Sequence, residues 1–243
     1  MFSFLRKRKD AKIITQTRDN YNLIAASFNS TRQSGWPEFK YIEEYIVSGQ
    51  RIFDWGCGNG RYFEAVKDKK IFYYGADISR ELIKFARAKY QSQIESGQAE
   101  FVCTENGEIN FPNNFFDLVI MIASFHHLPS FETRLELLKK INKEMKLGGR
   151  IVMTNWNLGS IWALNKKLKP GWKELSKNDF LVPWKDKDGK IITQRYYHSF
   201  SKAELKDLLS QAGFKVEISE FSKGTAWSDD NGGRNLITTA VKI

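Results

Sequence analysis

An acid followed by three alternating glycines is the part of the sequence best suited to chemistry. The segment RIFDWGCGNGR covers residues 51–61, and its apolar start is predicted to be a buried strand that contains Asp54. Glycines let the backbone turn tightly without a Cβ in the way, so a nucleotide-like ligand can lie against the main chain. The spacing G-x-G-x-G differs from the G-x-G-x-x-G of dinucleotide-binding folds, which makes an NAD-dependent oxidoreductase the least favoured interpretation.

A second acid, Asp77, ends the next predicted strand and lies 23 residues after Asp54. A carboxylate at this place can accept hydrogen bonds from both ribose hydroxyls of a bound nucleotide. Glu105 and Asn106 follow the third predicted strand, near where an adenine would lie. These residues extend the predicted ligand site beyond the glycine turn.

Strand and helix patterns alternate after residue 50, which favours an α/β fold with a mostly parallel sheet and helices on both faces. Seven strands are predicted, over residues 51–55, 71–77, 101–103, 116–122, 150–154, 214–221 and 235–242. Helices are predicted over 13–47, after Arg61, after the cap residue Ser79, over 131–145 and after Ser201.

Two segments fall outside this alternation. Residues 1–20 are interpreted as a basic N-terminal tail ahead of a single domain over 21–243, and residues 157–200 interrupt the domain after its fifth strand. The interruption contains seven tryptophan, tyrosine and phenylalanine residues, too many for a disordered linker. We expect it to fold as a cap over the strand ends, on the substrate side.

The positive charge is concentrated in the same two segments. The chain has a net charge of +10, of which residues 1–20 contribute +4 and residues 161–200 contribute +5. Such clustering suggests a polyanionic partner, although solvated surface lysines would give the same count. The two cysteines do not indicate a disulfide framework, and no apolar run has membrane-spanning length. We therefore expect a cytoplasmic protein with no membrane partner.

The glycine turn and the later segments NFPNNFFDLV, SFHHL and MKLGGRIVMTNW occur in the order of the motifs of class I S-adenosylmethionine (SAM) methyltransferases, which the chain resembles. This resemblance implies a Rossmann-like sheet and SAM as the cofactor. The candidate cofactor-binding residues are Asp54, Gly56, Cys57, Gly58, Gly60, Asp77, Ile78, Glu105, Asn106 and Ala123.

Longer segments narrow the resemblance. YNLIAASFNSTRQSGWPE (21–38), IASFHHLPSFETR (122–134), VPWKDKDGK (182–190) and RYYHSFSKAELKDLLSQAGF (195–214) are similar to the tRNA wobble-uridine carboxymethyl methyltransferases. That family includes the methyltransferase domain attached to one of the AlkB homologues. The resemblance implies methyl esterification of a carboxymethyl group on a wobble uridine, with tRNA and a small activating protein as partners.

The sequence contains no evident nucleophile–base pair, and a carboxylate acceptor would need none because it is already ionised at neutral pH. Such a site needs donors that orient the carboxylate without protonating it. The substrate-side candidates are Arg32, His127, Arg195, Tyr197 and His198.

These candidates also have structural interpretations. His126 and His127 could cap the next helix, and Arg32 could be a surface residue between helices. The histidines could be imagined as metal ligands, but neighbouring histidines point in different directions and no carboxylate motif completes a site, so we expect no metal. Packing or base stacking would each explain the tryptophans Trp36, Trp162, Trp172 and Trp184.

Three functions therefore remain open from the sequence. The first is a SAM-dependent methyltransferase that modifies the carboxymethyl group of a wobble uridine. The second is a SAM methyltransferase acting on a small molecule, against which the basic cap argues. The third is a non-catalytic RNA-binding module that retains SAM.

Overall fold

The computed structural model describes residues 2–32, 35–104, 110–228 and 232–243. The strands of these residues are β1 (Arg51–Trp55), β2 (Phe72–Asp77), β3 (Ala99–Cys103), β4 (Phe116–Ile122), β5 (Met145–Trp156), β6 (Lys173–Ser176), β7 (Asp179–Lys185), β8 (Ile191–His198), β9 (Phe214–Lys223), β10 (Ala226–Ser228) and β11 (Asn235–Lys242). The α-helices are α1 (Phe2–Thr31), α2 (Lys40–Glu43), α3 (Arg61–Val66), α4 (Arg80–Lys89), α5 (Gln91–Glu95), α6 (Phe131–Glu144), α7 (Ile161–Lys167) and α8 (Lys202–Gln211).

The main sheet has the order β10-β9-β11-β5-β4-β1-β2-β3. Strands β3, β2, β1, β4 and β5 are parallel, whereas β11 lies antiparallel between β5 and β9. The predicted class I methyltransferase fold is confirmed. The seven predicted strands are all present, and β10 adds a three-residue edge strand that is too short to show a pattern in the sequence.

Helix α6 and strand β5 meet earlier than predicted. The sequence predicts a helix to residue 145 and a strand from residue 150, but α6 ends at Glu144 and β5 starts at Met145. The backbone amide of the C-cap residue Met145 bonds to the carbonyls of Asn142 and Ile141, which ends the helix without glycine. Met145 pairs with Phe116 of β4 and the next pair is Arg150 with Leu118, so the residues between them, including both glycines, form a bulge in the strand.

Alternate strand residues bury the two faces of the main sheet against different helices. On one face Val119 of β4 packs with Leu138 of α6 and Leu208 of α8. On the other face Leu118 packs with Phe63 of α3. The two cores hold the carboxyl ends of β1, β2 and β4 along one edge, where class I folds bind ligands.

Helix α1 is one continuous 30-residue helix, so residues 2–20 are its first part and not a separate tail. Asp10 anchors it to α6, because its Oδ2 accepts hydrogen bonds from Ser130 Oγ at 2.5 Å and Thr133 Oγ1 at 3.0 Å. Further along, Asn22 Oδ1 accepts from Ser79 Oγ at 2.8 Å, beside the start of α4. Helix α1 thus crosses the strand ends from α6 to α4.

The segment 157–200 folds as a unit of its own, made of α7 and the antiparallel sheet β6-β7-β8. Its core contains Leu158, Ala163, Phe180, Val182 and Tyr197. Strand β8 lies beside α1, where Asn20 Nδ2 donates to the Gln194 carbonyl at 2.8 Å. Strand β8 and α1 therefore form neighbouring walls above the strand ends.

Candidate functional site

A cavity of about 320 Å³ lies at the carboxyl ends of β1, β2 and β4 and is bounded by α1 and β8. This volume lies within the usual range of small-molecule sites. The predicted residues that line it are Arg32, Asp54, Gly56, Cys57, Gly58, Asp77, Ile78, Ala123, His127, Arg195 and Tyr197. Most of the candidates are therefore brought together, although they come from distant parts of the chain.

The glycine turn is fitted closely to its surroundings. Gly56 has a φ of +79°, and its amide donates to the Ala76 carbonyl at 2.7 Å. A Cβ at this position would overlap the Cβ of Ser124, so only glycine fits. Gly60 is different, because it caps α3 and does not line the cavity. A Cβ there would lie 2.7 Å from Tyr90, which gives Gly60 a packing role.

Asp54 is buried in the cavity wall with one carboxylate oxygen unused. Tyr73 donates its hydroxyl hydrogen to Oδ2, whereas Oδ1 has no hydrogen-bond partner in the described structure. Burial raises the pKa of Asp54 to about 7, and the Tyr73 hydrogen bond opposes that rise. An unpaired buried acceptor next to a cavity is suited to a cationic group of a ligand.

Asp77 is oriented by two backbone amides. Gly58 N–H donates to Oδ2 and Ser79 N–H donates to Oδ1, both at 2.8 Å. Burial raises the pKa of Asp77 to about 6, and these two hydrogen bonds limit the rise. Each oxygen keeps a lone pair that could accept from a ribose hydroxyl.

The adenine side of the site is only partly described. Glu105 and Asn106 lie outside the described residues, and Thr104 is the last residue before them that lines the cavity. Ile78 follows Asp77 along the wall. Ala123 has a φ of +50°, unusual for a residue with a side chain, and its amide donates to the Thr154 carbonyl at 2.9 Å.

Arg195 is a buried cation without an acidic partner among the described residues. Its side chain is 5% exposed, its Nη1 donates to the Tyr21 hydroxyl at 3.3 Å, and its Nε has no partner in the described structure. The guanidinium carbon lies 5.0 Å from the Trp184 ring centre and 5.2 Å from that of Tyr197. Burial lowers the pKa of Arg195, but the Tyr197 and Tyr21 hydroxyls outweigh burial and raise it.

Arg32 brings a second cation to the same place. Its guanidinium carbon lies 5.5 Å from the Trp184 ring centre. Its pKa is lowered by burial and by the nearby charge of Arg195. Among the described residues Arg32 has no carboxylate partner either, so this end of the cavity has a positive potential.

His127 lies in the cavity wall, with both ring nitrogens occupied. Nδ1 lies 2.7 Å from the Tyr196 carbonyl oxygen and Nε2 lies 2.8 Å from the Tyr21 hydroxyl. Burial lowers the pKa of His127 to about 3, so the ring is neutral at physiological pH. His127 does not cap the next helix, because Ser130 does so by accepting from Thr133 N–H at 3.2 Å.

His198 is the one substrate-side candidate outside the cavity wall. Its Nδ1 lies 2.8 Å from Asp179 and its Nε2 lies 2.9 Å from Glu204, so it ties β7 and α8 together. Residues of a strand alternate between faces, so Arg195 and Tyr197 face the cavity whereas Tyr196 and His198 face away. The described residues contain no cluster of acids, cysteines and histidines able to hold a metal ion.

The four tryptophans singled out from the sequence differ in what they contact. Trp184 contacts α1 and both arginines, and its Nε1 donates to Ser27 Oγ at 3.0 Å. Trp36 stacks beneath Arg61 at 4.2 Å, and Trp172 packs against the core of the cap. The side chain of Trp162 lies outside the described part of the structure.

Tyr21 lines the cavity but was not singled out from the sequence. It lies four residues after Thr17 and seven before Phe28, which also line the cavity, so the helical repeat of α1 could have indicated it.

A family model described as a methyltransferase domain matches residues 53–153. A Schizosaccharomyces pombe protein named tRNA (carboxymethyluridine(34)-5-O)-methyltransferase is 26% identical over 85% of this chain and 92% of its own length. An Arabidopsis thaliana protein of the same name is 33% identical over 56% of this chain. The chain spans only 31% of that plant relative's length.

Solved structures show the same fold. A SAM-dependent methyltransferase from Methanosarcina mazei has a TM-score of 0.66 and 22% identity, over 84% of this chain and 97% of its own. A structure of the Haloferax volcanii Trm112 methyltransferase activator in complex with a methyltransferase gives a TM-score of 0.63 and 17% identity, over 91% of this chain and 96% of the matched chain. No helix in the described residues combines the length and apolar character needed to cross a membrane.

Proposed function

We propose that this chain, a SAM-dependent methyltransferase of the class I fold, methylates the carboxymethyl group of a modified wobble uridine in tRNA. The S. pombe relative, which this chain matches over 92% of its length, has that activity in its name. The end of the cavity that contains Arg32 and Arg195, which we call the acceptor end, supports the same chemistry independently of the relative's name.

The residues at the glycine turn fit SAM. The free Oδ1 of Asp54 would accept from the ammonium group of the methionine part, and the carboxylate of Asp77 would accept from the ribose hydroxyls. The open main chain at Gly56, Cys57 and Gly58 would lie along the cofactor. Glu105 and Asn106 remain our proposal for the adenine side. When bound, SAM supplies an electrophilic methyl group on a sulfonium.

The observation that carries the proposal is the pair of unneutralised arginines. Two cations close together in a partly dry cavity repel each other, and burying Arg195 without a counter-charge costs free energy. A substrate carboxylate would remove both costs. Arg195 cannot act as an acid at neutral pH, so it can orient the carboxylate while leaving it ionised and nucleophilic.

Methyl transfer to a carboxylate requires no general acid or base, and the groups around the two arginines are consistent with this. A carboxylate with a pKa of about 4 has no proton to lose at neutral pH, so its oxygen can attack the methyl carbon directly. His127 is neutral and has both nitrogens engaged, so it is placed to hold neighbours in position. Alignment of the two reactants and exclusion of water would then supply the acceleration.

The tRNA half of the proposal is supported by two basic surfaces. On α1, Lys7, Arg8, Lys9 and Lys12 are all exposed. On the β7–β8 hairpin, Lys187 and Lys190 are exposed as well. Phosphates of a folded RNA are the natural counter-charge for such surfaces. A cytoplasmic location and a small activating protein of the Trm112 type belong to the same proposal.

The test is methylation of tRNA that carries carboxymethyluridine, measured by nucleoside mass spectrometry with and without a Trm112-type protein. We expect the methyl ester to form, and unmodified tRNA to be a poor substrate. Arg195→Met should lower kcat/KM by about 100-fold, because a buried charged partner is lost. Arg150→Met is the matched control, since Arg150 is paired with Glu217 outside the cavity. SAM binding without any ester product would sink the proposal.

A further inference from the structure

A directional chain of hydrogen bonds crosses the cavity from β8 to α1 and back. The Tyr196 carbonyl oxygen can only accept, so the His127 Nδ1 that lies 2.7 Å away must carry the hydrogen. Because the ring is neutral, Nε2 is then a bare lone pair. The Tyr21 hydroxyl, 2.8 Å from Nε2, must donate its hydrogen there.

This arrangement fixes the role of the Tyr21 oxygen. With its hydrogen committed to His127, the oxygen can only accept, and Arg195 Nη1 lies 3.3 Å from it. The Tyr21 ring is also held from two sides, nearly perpendicular to the His127 ring at 5.3 Å and to the Phe28 ring at 5.9 Å. Tyr21 is therefore an immobile acceptor for one particular nitrogen of the guanidinium.

Arg195 needs such an acceptor. Its other described neighbours include the ring face of Trp184, which attracts a cation without fixing its orientation, and Tyr197, whose ring and hydroxyl both interact with the guanidinium. The acceptor at Nη1, together with the Tyr197 hydroxyl, fixes the orientation of the guanidinium. The Nε–H, which has no partner in the described structure, then keeps one direction.

The geometry points to Tyr21 as the positioning residue that turns the Nε edge of Arg195 toward the acceptor carboxylate, an inference that rests on the proposed function. A guanidinium binds a carboxylate best through two parallel N–H groups, so its in-plane orientation decides how well the substrate is aligned. Tyr21 itself does not need to touch the reacting atoms. Because it belongs to α1, the acceptor site is complete only when that helix lies across the strand ends.

The decisive variant is Tyr21→Phe, which keeps the ring packing and removes only the hydroxyl. We expect kcat/KM for carboxymethyluridine tRNA to fall by about tenfold, the usual value of a hydrogen bond to a charged group, with SAM affinity unchanged. In an Arg195→Lys background the same change should cost nothing more, because the lysine has no plane to orient. Tyr45→Phe is the control, since Tyr45 also lies against an arginine, Arg150, but outside the cavity.

Two results would overturn the inference while leaving the proposed function intact. One is an active Tyr21→Phe enzyme with unchanged kinetics. The other is a loss that is just as large in the Arg195→Lys background. A wild-type enzyme that forms no ester would instead count against the proposed function.

The inference can also be tested without measuring turnover, from the ¹⁵N–¹H NMR signal of Arg195 Nε in the free protein. This signal is identified by its loss in Arg195→Lys. Tyr21→Phe should shift and broaden this signal, and Tyr45→Phe should not. An unchanged Arg195 signal in Tyr21→Phe would contradict the positioning role.

Discussion

Titration of Asp54 and Asp77 should make SAM binding depend on pH within one unit of neutrality. Burial raises the pKa of Asp54 to about 7 and that of Asp77 to about 6. Both carboxylates would accept hydrogen bonds from SAM in their ionised form, and both lose that form as the pH falls through these values. Affinity should therefore increase as the pH rises from 6 to 7.

The size of the effect follows from the two ionised fractions. Between pH 6 and pH 7 the ionised fraction of Asp54 rises from about 0.09 to about 0.5, roughly fivefold, by the pKa of about 7. The fraction for Asp77 rises from about 0.5 to about 0.9, roughly twofold, by the pKa of about 6. Together they predict about a tenfold gain in SAM affinity, or about 1.4 kcal/mol.

Isothermal titration calorimetry at pH 6, 6.5 and 7, in buffers of different ionisation enthalpy, measures both the affinity and the protons released. Asp54→Asn keeps an oxygen acceptor for Tyr73 and should reduce the pH dependence to the twofold contribution of Asp77. Glu217→Gln, which removes an acid paired with Arg150 outside the cavity, should leave it unchanged. An affinity that is flat from pH 6 to pH 7 in the wild type, or still tenfold dependent in Asp54→Asn, would refute the reasoning.

Three further predictions concern stability and RNA binding. Gly56→Ala should lower the free energy of unfolding by about 2 kcal/mol, because it adds a steric overlap to a left-handed backbone; thermal unfolding measures this. Burial lowers the pKa of His198, but its two carboxylate partners outweigh burial and raise it above the usual value. The stability that His198 contributes should thus be complete below about pH 6.5 and decline as the pH rises through the raised pKa, in urea unfolding followed across that range. Replacing Lys187 and Lys190 with alanine should weaken tRNA binding and reduce the slope of log K against log salt concentration by about 1.4 to 1.8, as filter binding at several salt concentrations would show.

Each of these predictions has a matched control. Gly49→Ala places a Cβ in open space at a similar φ of +86°, so a loss equal to that of Gly56→Ala would remove the overlap argument. For His198 the comparison is His198→Gln, which should abolish the decline with pH; an identical decline would assign it to other groups. Lys206 and Lys215 are exposed lysines of α8 and β9, and their removal should leave the salt slope as it is.

Local features of the fold were predictable because their causes are local. Ser79 caps α4 by accepting from Leu82 N–H at 3.2 Å, and Ser201 caps α8 by accepting from Glu204 N–H at 3.1 Å, both as the sequence predicts. The end of α6 was predicted to within one residue, whereas the start of β5 was placed five residues too late. The first pair of β5, Met145 with Phe116, joins residues far apart in the chain, so the local sequence does not reveal it.

In the candidate site, too, residues placed by local pattern were predicted, whereas residues placed by long-range packing were not. Asp77 was recognisable because it ends a predicted strand and follows the glycine turn by about twenty residues, a spacing that is visible in the sequence. The place of His198 was not recognised, although the two-residue repeat of β8 separates it from Arg195. Tyr21 was missed because its partner, His127, is 106 residues away and meets it only through the packing of α1.

The sequence by itself determined the type of cofactor site. One strand, one turn and the next strand set the positions of the first acid, the alternating glycines and the second acid. Short-range geometry leaves few alternatives there. Only the tertiary structure decided which cations meet at the acceptor end and how they are held. Arg195 and Arg32 are 163 positions apart in the sequence, and their shared burial without an acid among the described residues arises from packing of α1 against the cap. Burial and packing depend on the whole fold, and they place two ordinary arginines where the proposed carboxylate acceptor would lie.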